Sequence, residues 1–292
     1  LVATAVAERD IVVRLNEDAA FAFPFCDGYW SRMLNPRYDY EEEIEAFLRN
    51  SADLRYSFID CGANFGYWSV LASSRPYGRQ QTLAIEASSE NATRLRTNAL
   101  LNGDRFHWLN VAIGGKVGGF ARITGARHES METLALTQNE PDAVPIVSLD
   151  SLAAEGHIDV TMPVVIKLDV EGMEIEALAG AEGLMQHECV VICEEHGSDR
   201  THGITRHLIN ELSLSAFVFD PFRCRFIRLD RIERLDQIKK HAWVGYNVSV
   251  GEAVTFEITP MLGAVFGSTT GIAPGYKASV GWRRLELYSE TE

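Results

Sequence analysis

No stretch of this 292-residue chain approaches the ~18 consecutive apolar residues that a membrane-spanning helix needs, although 46% of its residues are hydrophobic. No membrane span is expected. Cations are scarce: 27 Lys and Arg stand against 41 Asp and Glu, a formal net charge of −14. Phosphate backbones are held by clustered cations, so this balance argues against nucleic acid as the main partner. Cysteine is sparse too, with five, at 26, 61, 189, 193 and 224, and no C-x-x-C pair. An odd number cannot all pair, and three lie in or beside apolar strand-like runs, which predicts a reducing, cytoplasmic setting. The opening LVATAVAERD lacks a basic segment and has too short an apolar core for a secretory signal. No solenoid-type repeat occurs.

What the chain does have is FIDCGANFGYWS, from Phe58 to Ser69. A short apolar run starting near Leu54 ends at Ile59, as a buried strand would. Glycines at 62 and 66 then permit a tight turn and close approach of a ligand. From Phe65 to Ser74 the spacing of Tyr67, Val70 and Leu71 predicts a helix. In an open α/β sheet such a strand–turn–helix junction is where ligands bind. Dinucleotide folds carry G-x-G-x-x-G at this place, whereas here the first glycine is replaced by Asp60. A carboxylate repels a diphosphate but suits the cationic amino-acid end of S-adenosylmethionine, directly or through water. Glu86, ending a second apolar strand in TLAIEA, can take both ribose hydroxyls. The alternative is an ordinary glycine-rich turn with no ligand.

The alternation of strand and helix from Leu54 to about Phe219 predicts a parallel α/β sheet. Helices are expected after Ser88 and Ser89, ending near Asn102-Gly103, and over MEIEALAGAEGLM. Strands are expected over RFHWLNVAI, GGFARIT, VVIKLDV and CVVICEEHG, an antiparallel pair over SAFVFD and RCRFIRL, and a last strand near AWVGYNVSV. Residues 125–143 read as a polar loop. Residues 1–53 read as a cap: two short strands, an aromatic patch with Tyr29 and Trp30, and a helix opened by Asp39 or Tyr40 with Ile44, Phe47 and Leu48 on its apolar face. Tyr29 and Trp30 either pack the cap down or line a substrate mouth. The division is thus 1–53 cap, 54–250 main domain, 251–292 a β-rich tail of unassigned role.

The fourth strand ends in Lys167, Asp169 and Glu171, which period-2 alternation puts on one face, while Ile166, Leu168 and Val170 pack. Charges at the end of a central strand cost free energy unless paired or used. Either Lys167 merely neutralises Asp169, or the group faces a ligand. The fifth strand ends similarly, in Glu194 and His196, and a histidine beside carboxylates can take a proton near neutral pH.

The run DCGANFGYWS from Asp60, Glu86, Asn110-Val-Ala, Ser148-Leu-Asp, KLDVEGMEIEALAGA over 167–181 and CEEHG over 193–197 together resemble the FkbM family of S-adenosylmethionine-dependent methyltransferases. The likeness covers roughly residues 54–250. It implies a Rossmann-like class I methyltransferase fold, a mostly parallel seven-stranded sheet with an antiparallel last strand. It also implies methyl transfer to an oxygen, often a sugar hydroxyl, with a small-molecule or glycan acceptor. Carried onto this chain, Asp60, Gly62, Asn64, Gly66 and Glu86 hold the cofactor, and Asp169, Glu171, Glu194 and His196 face the acceptor. His196 is the expected base, oriented by Glu194 or Asp169. Mg²⁺ held by Asp169, Glu171 and Glu194 is a less favoured route, and no metal site is assigned. The rival functions are a nicotinamide oxidoreductase and a non-catalytic binding protein on the same fold.

Overall fold

The structure, a computed structural model, describes residues 9–25, 27–35, 40–124, 130–132, 140–170, 172–193, 201–220, 225–235 and 265–268. The first strands, β1 (Asp10–Arg14) and β2 (Ala20–Pro24), form an antiparallel hairpin, followed by a 3-10 turn (Trp30–Leu34) and α1 (Glu42–Asn50). The central α/β run is β3 (Ser57–Cys61), α2 (Tyr67–Ala72), β4 (Gln81–Ile85), α3 (Ser89–Leu101) and β5 (His107–Leu109). A small insertion follows: β6 (Ala112–Ile113), β7 (Phe120–Thr124), β8 (Ser130–Glu132) and β9 (Val144–Val147). The chain then returns through α4 (Leu149–Ala154), β10 (Val164–Leu168), α5 (Glu174–Ala179), β11 (Cys189–Cys193) and α6 (Gly203–Arg206). Last come β12 (Ser215–Asp220), β13 (Arg225–Arg228) and β14 (Val265–Ser268).

The main sheet runs β13-β12-β14-β11-β10-β3-β4-β5. Its five strands from β11 to β5 are parallel, and β14 inserts antiparallel between β11 and β12. That is the expected α/β, Rossmann-like class I architecture, with β13 added at one edge. The antiparallel strand comes from 265–268, inside the segment read as a tail, while the strand expected near AWVGYNVSV lies outside the described residues.

Both faces of the parallel strands are covered, which explains their mostly apolar character. Ile59, Cys61, Ile166, Leu168, Val191 and Cys193 face the α4 and α5 side. Phe58, Val165, Val190 and Ile192 face α1 and α2, whose Ile44, Phe47, Leu48, Trp68 and Leu71 complete that layer. Each such side chain, wholly buried, contributes about 1.5–3 kcal/mol.

Elements differ from their sequence-based outlines where a polar side chain or a glycine intervenes. The expected third strand splits because Asn110 donates from Nδ2 to the Glu86 and Ala87 carbonyls (2.8 and 3.3 Å). The chain then leaves the main sheet at β6 to pair with β9. Part of the expected polar loop is a strand, since Ser130–Glu132 pairs antiparallel with β7. The helix expected over 173–185 stops at Ala179: a Cβ on Gly180 would lie 2.3 Å from the Gly114 carbonyl, so only glycine lets these backbones meet. α1 starts after Glu41, which is in the left-handed region (φ 44°) and accepts a hydrogen bond from Trp68 Nε1.

The N-terminal hairpin is fastened by asparagine. Asn98 on α3 and Asn102, which caps its C-terminus one turn later, each donate to and accept from a β2 residue, Ala22 (3.0 and 2.7 Å) and Ala20 (2.7 and 3.0 Å) respectively. Two side-chain amides thus replace a neighbouring strand along that edge, and the cap is fixed beside the β3–α2 turn.

Candidate active site

Asp60 and Lys167 are cross-strand neighbours on β3 and β10 and project from the same face. Both are buried, at 1% and 4% exposure. Asp60 Oδ1 lies 3.3 Å from Lys167 Nζ, and Oδ2 accepts from Ser69 Oγ of α2 at 2.7 Å. Lys167 Nζ is also 3.5 Å from Asp169 Oδ2, just past the end of β10. Burial alone would lower the ammonium's pKa; Asp60 and Asp169 outweigh it and hold Lys167 above the ordinary lysine value. Lys167 therefore neutralises Asp60 as much as Asp169, and Asp60 is enclosed rather than presented at the surface.

The turn after β3 is shaped by close backbone approaches. Gly62 has φ +74°, and a Cβ there would stand 1.7 Å from the Asp169 carbonyl oxygen. Gly66 has φ +87°, and its Cβ would meet Leu95 Cδ1 at 2.5 Å. Gly62 is thus required by backbone packing as well as by conformation, and Gly66 by its left-handed conformation. Between them Asn64 is left-handed (φ 51°), a conformation that asparagine tolerates better than most residues. Its Oδ1 accepts from Phe65 N (2.8 Å) and from Trp30 Nε1 (3.2 Å), while its own N–H donates to Glu86 Oε2 (2.8 Å). The left-handed Asn64 and Gly66 also explain why α2 starts at Tyr67, two residues later than its periodicity suggests.

Glu86 follows directly on β4 and joins the two loops. Its other oxygen, Oε1, accepts from Ser88 N at 2.7 Å. Burial pushes the carboxyl up to about 7, against the lowering effect of the Ser88 and Asn64 N–H groups. Each carboxylate oxygen accepts one of these bonds and has capacity for another. Asp169 is the open member of the set, with its side chain one-third exposed. The loop after it is held by Glu174, whose Oε1 accepts from Val170 N and Gly172 N (3.1 and 3.2 Å). Burial raises the Glu174 carboxyl as well. Glu174 is therefore a buried brace, not a cleft-facing acid.

Of the sequence-predicted residues, the fold brings Asp60, Gly62, Asn64, Gly66, Glu86 and Asp169 together at the carboxyl ends of β3, β4 and β10. Glu171, Glu194 and His196 lie outside the described residues. Two participants escaped sequence reasoning in part. Ser69 was visible only as a polar residue at a buried helix position. Trp30 does pack the cap down, at 2% exposure, but its indole N–H also reaches the turn.

Asp60 and Asp169 flank the Lys167 ammonium, Glu86 stands just past the end of the neighbouring strand, and the motif at the end of β3 opens with an aspartate where dinucleotide folds have a glycine. Such a set of acceptors fits a cationic nucleoside, with Glu86 able to accept from a diol, and disfavours a diphosphate. Among the described residues no group of three or more His, Cys, Asp or Glu side chains is placed to hold a metal ion. Among them, too, no helix is long and apolar enough to cross a membrane.

A family model described as methyltransferase FkbM domain matches residues 60–219. Among solved structures, the chain is similar to methyltransferase FkbM from Methylobacillus flagellatus KT, at 20% identity and a TM-score of 0.33, over 49% of this chain and 36% of that one. The match thus spans about a third of that protein's length. It is also similar to precorrin-6y C5,15-methyltransferase from Geobacter metallireducens GS-15 (13% identity, TM-score 0.37, 60% of this chain and 73% of that one). A SAM-dependent O-methyltransferase from Thermotoga maritima matches at 12% identity and a TM-score of 0.31, over 88% of this chain and 77% of that one. No curated protein matches the chain.

Proposed function

Because this chain belongs to the FkbM family of methyltransferases, we propose that it moves a methyl group from S-adenosylmethionine to a hydroxyl oxygen of a small-molecule or glycan acceptor. The observation that carries the cofactor half is the acidic junction formed by Asp60 and Asp169 on Lys167, with Glu86 just past the end of the neighbouring strand. S-adenosylmethionine, when bound, supplies a methyl activated by its sulfonium charge. Gly62, Asn64 and Gly66 shape the turn against which it rests, and Glu86 accepts from its ribose. Asp60 acts from behind, by fixing Lys167 and through it Asp169.

Transfer of this kind is an in-line displacement, and the protein's main task is alignment and exclusion of water. An acceptor hydroxyl must lose its proton as the new bond forms, so one positioned base helps. We assign that role to His196, with Asp169, Glu171 and Glu194 on the acceptor side. Asp169 is suited to the task because it combines exposure with a fixed position beside Lys167.

Calorimetry tests the cofactor. S-adenosylmethionine or its demethylated product should bind in the micromolar range, roughly −8 kcal/mol, and NAD should not. Binding of NAD alone would replace the reading with an oxidoreductase. Binding of neither would leave a non-catalytic protein. With an acceptor in hand, His196→Ala should keep cofactor affinity and lose about 10²–10⁴ in turnover; undiminished turnover would remove His196 from the chemistry.

A further inference from the structure

Trp30 lies outside the matched family region, yet one of its atoms touches the turn at the centre of the site. Its place is tightly determined. Asp27 Oδ1 accepts from the Tyr29 and Trp30 backbone N–H groups (2.9 and 2.6 Å), which pins the start of the 3-10 turn. The indole is enclosed by Phe21 (centroids 4.7 Å apart), Tyr40 (5.6 Å), Tyr67 (5.7 Å) and Phe65 (6.0 Å). From that socket Nε1 reaches Asn64 Oδ1 at 3.2 Å.

An indole nitrogen donates and never accepts. It therefore dictates which end of the Asn64 amide faces inward: the oxygen, already shared with the Phe65 N–H. The amide's two N–H donors must then face outward. Asn64 is exposed, and its Nδ2 makes no hydrogen bond to a described residue, while its backbone is tied to Glu86. A buried donor thus orients an exposed amide beside the carboxylate read as the ribose contact.

We propose that Trp30 is a positioning residue for cofactor binding: its indole N–H locks the Asn64 amide so that Nδ2 is presented to an acceptor atom of the cofactor. The N-terminal cap is then part of the binding site through one hydrogen bond. This rests on the reading of the turn as an S-adenosylmethionine site.

The test is a double-mutant cycle with the demethylated cofactor product as calorimetric probe. Trp30→Phe preserves an aromatic ring in the socket and removes the donor together with one ring of the indole. It should weaken binding about tenfold, the ordinary worth of one hydrogen bond, with a melting temperature within a few degrees of wild type. Asn64→Asp leaves an acceptor for the indole but no outward donor, and should weaken binding at least as much. In the Asn64→Asp background, Trp30→Phe should then cost nothing more. Unchanged affinity in Trp30→Phe, or losses that simply add, would overturn the proposal. If Trp30→Phe does not fold, Asn64→Asp and Asn64→Gly carry the test: glycine keeps the left-handed turn, and wild-type affinity in either variant would overturn it. Failure of the wild-type protein itself to bind would remove the site reading along with the proposal, whereas wild-type binding with an unaffected Trp30→Phe removes only the role given to Trp30.

Discussion

Glu86 is 7% exposed, and each of its oxygens is held by a backbone N–H, yet its carboxyl is pushed up to about 7. A carboxyl whose folded pKa exceeds its unfolded value binds its proton more tightly in the folded state. Stability from that group is therefore greatest below pH 4.5 and is lost as pH rises towards 7. Across that interval the wild-type protein should lose up to roughly 3 kcal/mol relative to Glu86→Gln, read from urea denaturation of both proteins at each pH. The constant cost of the substitution cancels in the comparison. A difference that stays flat over the interval would show that Glu86 remains ionised throughout. Lys167 obeys the same rule in a higher range: its raised folded pKa means that its ion-pair stability is present at neutral pH and is lost only above the lysine range. The two groups together make the junction most sensitive near neutrality through Glu86 alone.

Strand β14 shows how a short element can decide the whole sheet. Its residues pair with β11 on one side and β12 on the other, Gly267 lying opposite both Val191 and Ala216. Without it, two apolar strands would each present an unpaired edge, a template for association with another chain. Removal of residues 251–292 should thus abolish a cooperative melt and drive the protein into aggregates, as read by circular dichroism and size-exclusion chromatography. A soluble, cooperatively melting product would mean that β11 and β12 close up without it. The fastening of β2 rests on a different device, the paired Asn98 and Asn102 amides, which satisfy backbone groups that would otherwise be orphaned in a buried layer. Neither device leaves a periodic trace. An asparagine on a helix looks the same in sequence whether it meets water or a strand edge, and a four-residue strand in a tail looks like many others.

At the scale of the molecule, the excess of acid over base, net −14, sets the sign of the long-range field but does not place any one charge. The alternation of apolar runs and glycine turns determined the α/β class, the parallel strands β3, β4, β10 and β11, and the convergence of Asp60, Glu86 and Asp169. Each follows from local periodicity plus the rule that ligands bind at the carboxyl ends of parallel strands. The motifs at 60–66 and 167–174 likewise suffice for the family, because their spacing fixes which strand ends meet. Tertiary structure alone decided that Asp60 is enclosed by Lys167 and Ser69, that Gly62 is demanded by the Asp169 carbonyl, and that Glu174 is a brace. It alone joined Trp30 to Asn64 across 34 residues of chain. Such pairings depend on distances between segments remote in sequence, and periodicity records only which face a residue occupies, not what stands opposite it.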